Sequence, residues 1–396
     1  MSPRISKSSL LLRLGATTIA VALGWAATLT TSAVAVEHRD ITVSSANTSL
    51  AASGIRSEGA PIQNVGEGAR PSVTATPSGV MGTLPLTVGG LPAGQPWINN
   101  DDQAAEAAWV AQTSTPSSRA SVLAANPISF HTGGSVYAGN VAIYPVWVGT
   151  WTSTRQTLWN KVLSNLVTAL GTTTSNTGVA NQVFATNLGY FTATNNVAPT
   201  LTWPQAAAPT SAIATSGNIT DAQVAGFIST ALSAGKIPTP TTSGGLRPIY
   251  VYIGANNTYL SSGFGTSYCG WHSYGTVGTT QVPYIAIQDF TSTYLSACAP
   301  QSKYSPNGDV YVDAMTSILV HEIDESLTDP LLNAWYDAKG AENADKCSWT
   351  FGTKTLLNNY YYNYTSGGLK YLIQRNWLSN NIAKTDGTAC ALNTAS

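Results

Sequence analysis

Runs of apolar residues divide this chain into stretches with two different periods. Residues 141–148 (VAIYPVWV) form a dense β-branched and aromatic run, which predicts a buried strand. Residues 249–254 (IYVYIG) and 284–290 (YIAIQDF) predict further strands, and 182–193 suggests another. Between them the period changes. Leu158, Val162, Leu166 and Leu170 recur at helical spacing, with Ser153 able to cap the helix and Gly171 to end it. Thr220-Asp221 opens a second helix running to about Ala234, closed by Gly235 and Pro238. A long helix starts at Asp309, capped by Asn307 or Asp309, and ends near Leu327 ahead of Asp329-Pro330; Ile318, Leu319 and Ile323 give it an apolar face. Strands alternating with helices predict an α/β or α+β fold, a mixed sheet with packed helices in a single main domain.

The N-terminal part lacks either period. Residues 36–125 are rich in Ala, Ser, Thr, Gly and Pro, as expected of a propeptide or linker arm. Residues 1–35 read as a signal peptide. Arg4, Lys7 and Arg13 supply the positive end, residues 14–29 an apolar stretch, and Ala33-Val34-Ala35 the small-residue cleavage pattern. The folded domain is then 126–396, and the expected product is secreted, with no membrane contact after cleavage. Export gives meaning to Cys269, Cys298, Cys347 and Cys390, an even number in the last third of the chain. Pairing in sequence order, Cys269 with Cys298 and Cys347 with Cys390, closes a local loop each time. No C-x-x-C pair is present to favour zinc ligation by the thiols.

Charge sharpens the picture. Only 9% of residues are charged and the net charge is -1, so no basic stripe exists to neutralise nucleic-acid phosphates. Against that background, nine of the nineteen acidic residues fall between Asp309 and Asp345, while Asp221 is the only acid between Ala107 and Gln288. The acids surround His321-Glu322-Ile323-Asp324-Glu325. His321 and Glu325 are four apart and project from the same side of the long helix. H-E-x-x-H zinc proteases hold their metal on such an i, i+4 pair; here glutamate replaces the second histidine. Glu322 occupies the position of the general base. A further ligand is expected from Glu342 or Asp345, which follow a turn at Lys339-Gly340. Zinc is the expected cofactor, and the central histidine argues against calcium.

The remaining residues carry blander expectations. Asp329 is read as capping a following turn or supporting a ligand, and Asp324 as facing solvent. His272 and His131 are read as structural hydrogen-bonding histidines, and His38 lies in the arm. Tyr360, Tyr361, Tyr362 and Tyr364 fit a half-buried strand as well as a sugar-stacking surface.

Two blocks carry a family resemblance. His131-Thr-Gly-Gly-Ser-Val-Tyr-Ala-Gly139-Asn140, followed by VAIYPVWVG and a helix from Ser153, resembles the opening of the EXORDIUM, or phosphate-induced protein 1, family. Tyr268-Cys269-Gly270-Trp271-His272 is similar to the family's C-G-x-H element. The resemblance implies a secreted, extracellular or cell-wall protein without a firmly assigned chemistry; a peptide or a cell-wall polymer is the expected substrate or binding partner. A third block, His321-Glu322-x-x-Glu325-x-x-Thr328-Asp329-Pro330 with Glu342-Asn-Ala-Asp345-Lys-Cys347, is similar to a motif of microbial secreted proteins regarded as zincin-like metallopeptidases. That likeness implies a zincin-like active-site helix, with His321, Glu325 and one of Glu342 or Asp345 as ligands and Glu322 as the catalytic base.

Overall fold

The apolar run at 141–148 becomes the strand on which the sheet is centred. A computed structural model describes residues 50–51, 127–171, 187–196, 199–240, 247–261, 263–265, 268–338, 340–381 and 389–390. The expected signal peptide, His38 and nearly all of the 36–125 arm lie outside them. Six strands form the main sheet: Leu50–Ala51 (β1), Asn140–Val148 (β3), Thr200–Thr202 (β4), Arg247–Gly254 (β6), Trp271–Val277 (β8) and Thr280–Gln288 (β9). Their order is β1-β8-β9-β6-β3-β4. Strands β4, β3, β6 and β9 are mutually parallel, whereas β8 and β1 join antiparallel at one side. Short pairs complete the strand set: Ser129–Phe130 (β2) with Trp335–Tyr336 (β10), Gly217–Ile219 (β5) with Thr258–Leu260 (β7), Thr355–Leu357 (β11) with Tyr360–Tyr362 (β12), and Tyr364–Ser366 (β13) with Leu369–Tyr371 (β14).

Five helices pack around the sheet: Ser153–Gly171 (α1), Asn187–Ala193 (α2), Asp221–Ser233 (α3), the single turn Leu295–Cys298 (α4) and Val310–Thr328 (α5). Parallel strands need long crossovers; α1 and α2 lie in the one from β3 to β4 and α3 in the one from β4 to β6, whereas α4 and α5 follow β9. Helix α3 packs on β3 and β6 from one face, with Phe227 against Tyr252. Helix α5 packs on β8 and β9 from the other, flanked by α1 and α2. Both faces are covered, which is why β3, β6 and β9 read as unbroken apolar runs instead of alternating ones. The fold is the expected mixed sheet with packed helices.

Local signals placed most helices correctly. Thr220 caps α3 in a reciprocal capping box with Gln223. Asp309 caps α5, accepting from the Tyr311 and Val312 amides at 2.9 and 3.2 Å, while Asn307 holds the Asp313 carboxylate. Two expectations fail. Residues 187–193 are helical where a strand was expected, because Asn187–Ala193 folds onto α5 as a short helix and not into the sheet. Helix α1 is capped by Thr152, whose hydroxyl accepts from the Arg155 amide at 3.3 Å, one residue before Ser153.

Arg155 sets the start of α5. Its guanidinium grips both oxygens of Asp289, at the end of β9, at 2.6 and 2.7 Å, and also reaches the capping carboxylate of Asp309. One side chain thus ties α1, β9 and the first turn of α5 together, with bidentate geometry on the buried partner. Both disulfides form in sequence order, Cys269–Cys298 and Cys347–Cys390.

Candidate metal centre

Helix α5 is enclosed on every side: each residue from Val312 to Thr328 is buried. A helix this polar stays buried only if its charged groups find partners, since an uncompensated buried charge costs several kcal/mol. The acids are therefore the informative residues. The one-turn spacing of His321 and Glu325 brings His321 Nε2 to 3.1 Å from Glu325 Oε1. The segment after β10 returns Asp345 to the same point, with Oδ1 3.5 Å from His321 Nε2. The Asp345 side chain is 6% exposed and the other two are fully buried.

These contacts are close but not aligned as hydrogen bonds. His321 Nδ1 and Nε2, and Asp345 Oδ1, are buried without a hydrogen-bond partner. Donor atoms bonded to one tetrahedral zinc at about 2.0–2.1 Å lie about 3.3 Å apart. The observed 3.1 and 3.5 Å bracket that value. Residues His321, Glu325 and Asp345 thus form a group able to hold a metal ion.

A second group shares Glu325. His272 enters from β8, with Nδ1 3.3 Å from Glu322 Oε2 and 3.4 Å from Glu325 Oε2, and Nε2 3.8 Å from Glu342 Oε2. All four side chains are fully buried. His272, Glu325 and Glu342 meet the same geometric condition for a metal ion. Gly270 permits this approach. A Cβ there would sit 2.5 Å from Ile318 Cγ2 and 3.3 Å from Glu322 Oε1, so any side chain would push α5 off the start of β8.

Supporting contacts fix the loop that carries Glu342 and Asp345. The Asp345 amide donates to Glu325 Oε1 at 3.0 Å, and the Glu342 amide to Asp345 Oδ2 at 3.2 Å. Asp337 accepts from the Ala341 amide at 3.0 Å and pairs with Lys346 at 2.7 Å. Asp324 Oδ2 accepts from the Asn343 side chain at 3.2 Å and from that of Asn376. Cys347, two residues past Asp345, is bridged to Cys390. Asp329 caps the turn after α5, accepting from the Asn333 and Ala334 amides at 2.5 and 2.7 Å.

The cluster perturbs its own protonation. Burial works against a charged His272 ring, but the carboxylates of Glu322 and Glu325 outweigh it and hold the imidazole at about 9. His321 is likewise pushed well above the usual histidine range by Glu325 and Asp345 against the cost of burial. Burial raises Glu322 to about 7 and Asp345 to about 6. Glu325 moves the other way: two imidazolium neighbours overcome its burial and hold it well down. Protons on the rings thus balance the charge of the carboxylates, and a divalent ion binding the same atoms would displace them.

All five residues singled out from the sequence, His321, Glu322, Glu325, Glu342 and Asp345, converge here. One expectation needs correcting. Asp324 is fully buried, not solvent-facing, because Asn343 and Asn376 turn inward to meet it. His272 hydrogen-bonds Glu322, as expected of a structural histidine, and it also stands within the cluster, where the sequence reading did not put it. The available signal was Gly270, which marks a place where another element comes close. His131 does have a structural role, stacked on Tyr336 at 3.5 Å with Nδ1 3.2 Å from the Ala334 carbonyl.

Comparison with known proteins places this architecture. The model of the phosphate-induced protein 1 conserved region matches residues 128–377, and the chain belongs to that family. Its relatives include Protein EXORDIUM-like 3 of Arabidopsis thaliana, 27% identical over 276 residues that cover 62% of this chain and 78% of the relative. Protein EXORDIUM-like 5 of the same plant is 22% identical over 288 residues, 64% of this chain and 76% of the relative. No solved structure matches the chain. No helix among the described residues is long and apolar enough to cross a membrane.

Proposed function

We propose that this protein is a secreted, metal-dependent hydrolase of the zincin type, with peptide bonds as its substrate class. The observation that carries the reading is the placement of Glu325 Oε1 and Asp345 Oδ1 at 3.1 and 3.5 Å from His321 Nε2, close to tetrahedral ligand spacing, with His321 Nε2 and Asp345 Oδ1 buried and without a hydrogen-bond partner. Bound there, zinc supplies Lewis acidity, which lowers the pKa of water and polarises a carbonyl. The protein supplies the rest. Asp345 is held by its own backbone contact to Glu325, so the pair keeps its spacing. Glu322 takes the proton of the attacking water and returns it to the leaving amine. His272, bonded to Glu322 at 3.3 Å, orients that carboxylate. Two disulfides and the EXORDIUM-like kinship fit a protein that works outside the cell.

A second reading draws on one specific observation: every member of the cluster but Asp345, whose side chain is 6% exposed, is fully buried, as in structural zinc sites, whereas catalytic ones keep an open position. In it the ion only braces an extracellular or wall-associated binding protein. Glu322→Gln separates the two. Retained zinc with hydrolysis of unstructured peptides lost supports the hydrolase. Peptide hydrolysis absent from the wild type, with zinc loss lowering only thermal stability, supports the brace. Absence of zinc from the wild type, or zinc binding unchanged in His321→Ala, overturns both.

A further inference from the structure

Building on the metal-binding reading above, we infer that the cluster holds two divalent cations, bridged by Glu325, and not one. The two carboxylate oxygens of Glu325 serve different histidines. Oε1 lies 3.1 Å from His321 Nε2, the atom that Asp345 also approaches, and Oε2 lies 3.4 Å from Nδ1 of the His272 ring, whose Nε2 lies 3.8 Å from Glu342 Oε2. A carboxylate with one oxygen in each of two ligand sets is the bridging element of a two-ion site, where the ions sit about 3.5–4 Å apart.

The second set is more than a group of acids. His272 is fully buried, and its Nε2 has no hydrogen-bond partner although it lies 3.8 Å from Glu342 Oε2. Its Nδ1 is engaged by Glu322 Oε2 at 3.3 Å. A carboxylate on one ring nitrogen fixes the tautomer and turns the lone pair of the other outward, as in the carboxylate–histidine–metal arrangements of known sites. Here that second nitrogen lies 3.8 Å from Glu342 Oε2. Glu325 Oε2 is also buried without a hydrogen-bond partner. One donor atom from each of His272, Glu325 and Glu342 already lies within 4.8 Å of the others, so closing on an ion takes shifts of about 1 Å or less.

Charge agrees. Glu322, Glu325, Glu342 and Asp345 bring four carboxylates to one buried place. With neutral imidazoles as ligands, a single divalent ion balances two of them and a second balances the other two. Two histidines, one per set, select a transition-type ion such as zinc or manganese over calcium.

The test is metal stoichiometry on the full chain, loaded with Zn²⁺, freed of excess by gel filtration and read by plasma mass spectrometry. About two ions per chain are expected in the wild type and about one in His272→Ala and in Glu342→Gln, with both lost in Glu325→Ala. One ion in the wild type, still present in His272→Ala, overturns the two-ion inference and leaves the His321 site standing. No ion in the wild type overturns the His321 site itself. Because variants can fail to fold, a second measurement uses the wild type alone. Loaded with Mn²⁺, it should give the electron paramagnetic resonance spectrum of an exchange-coupled pair; the spectrum of isolated Mn²⁺ at full loading overturns the inference.

Discussion

Asp324 offers a sharp test of how the cluster is supported, because it is charged, buried and set beside the ligands. Its Oδ2 accepts from the Asn343 amide at 3.2 Å and from Asn376. Asn343 lies between Glu342 and Asp345, so this carboxylate anchors the loop that carries both. Asp324→Ala removes two charge-assisted hydrogen bonds, each worth about 1.5–3 kcal/mol, and strands amides that are fully buried. Removing the carboxylate also relieves its own desolvation, which offsets part of the loss. A net destabilisation of about 2–4 kcal/mol is expected. At about 2–4 °C per kcal/mol for a domain of this size, the melting temperature should fall by about 4–16 °C. Circular dichroism melts in chelator measure the fold without the ion, and zinc titration calorimetry measures the site separately. Zinc affinity should fall about 10- to 100-fold as the loop loosens. A melting temperature within about 2 °C of wild type, together with unchanged zinc affinity, would refute the role given to Asp324.

Two further outcomes follow from the same structure. Burial raises Asp313 to about 6 although Ser305 and Asn307 donate to it; its unfolded value is about 3.9. The native state therefore holds the proton more tightly, so this contribution is complete below about pH 4 and is lost as the pH rises through about 6. Between pH 4 and 7 the wild type should lose about 2–3 kcal/mol relative to Asp313→Asn in urea melts, and parallel pH profiles would contradict the assignment. The Cys347–Cys390 bridge spans 43 residues, worth about 4 kcal/mol by loop closure. Cys347→Ser/Cys390→Ser should melt about 8–16 °C lower and bind zinc more weakly, since Asp345 loses its neighbouring tether; an unchanged zinc affinity would show that the tether does not position the ligand.

Strands β3, β6 and β9 and helices α1, α3 and α5 were legible because local signals agreed with the tertiary outcome. Apolar runs marked strands that are covered on both faces, and Thr220, Asp309 and Gly235 mark helix ends that the packing preserves. Residues 187–193 were not legible as a helix, since seven residues carry too little period to outweigh a mix of Leu, Tyr and Phe that also suits a strand. At the site, His321 and Glu325 were readable because one helix fixes their spacing. Glu342 and Asp345 were readable only as acids within reach. His272 was missed because its partners lie 50 or more residues away in sequence, and strand position alone does not report what packs above it. Asp324 was assigned to solvent by assuming a surface helix, whereas α5 is enclosed by β8, β9, α1 and α2.

The most direct test of the metal centre is anomalous X-ray scattering, with data collected on either side of the zinc absorption edge from crystals grown with Zn²⁺. An edge-dependent peak should lie about 2.0–2.2 Å from His321 Nε2, Glu325 Oε1 and Asp345 Oδ1. No edge-dependent density there, with these side chains joined instead through direct hydrogen bonds, would contradict the metal centre and the hydrolase reading that rests on it.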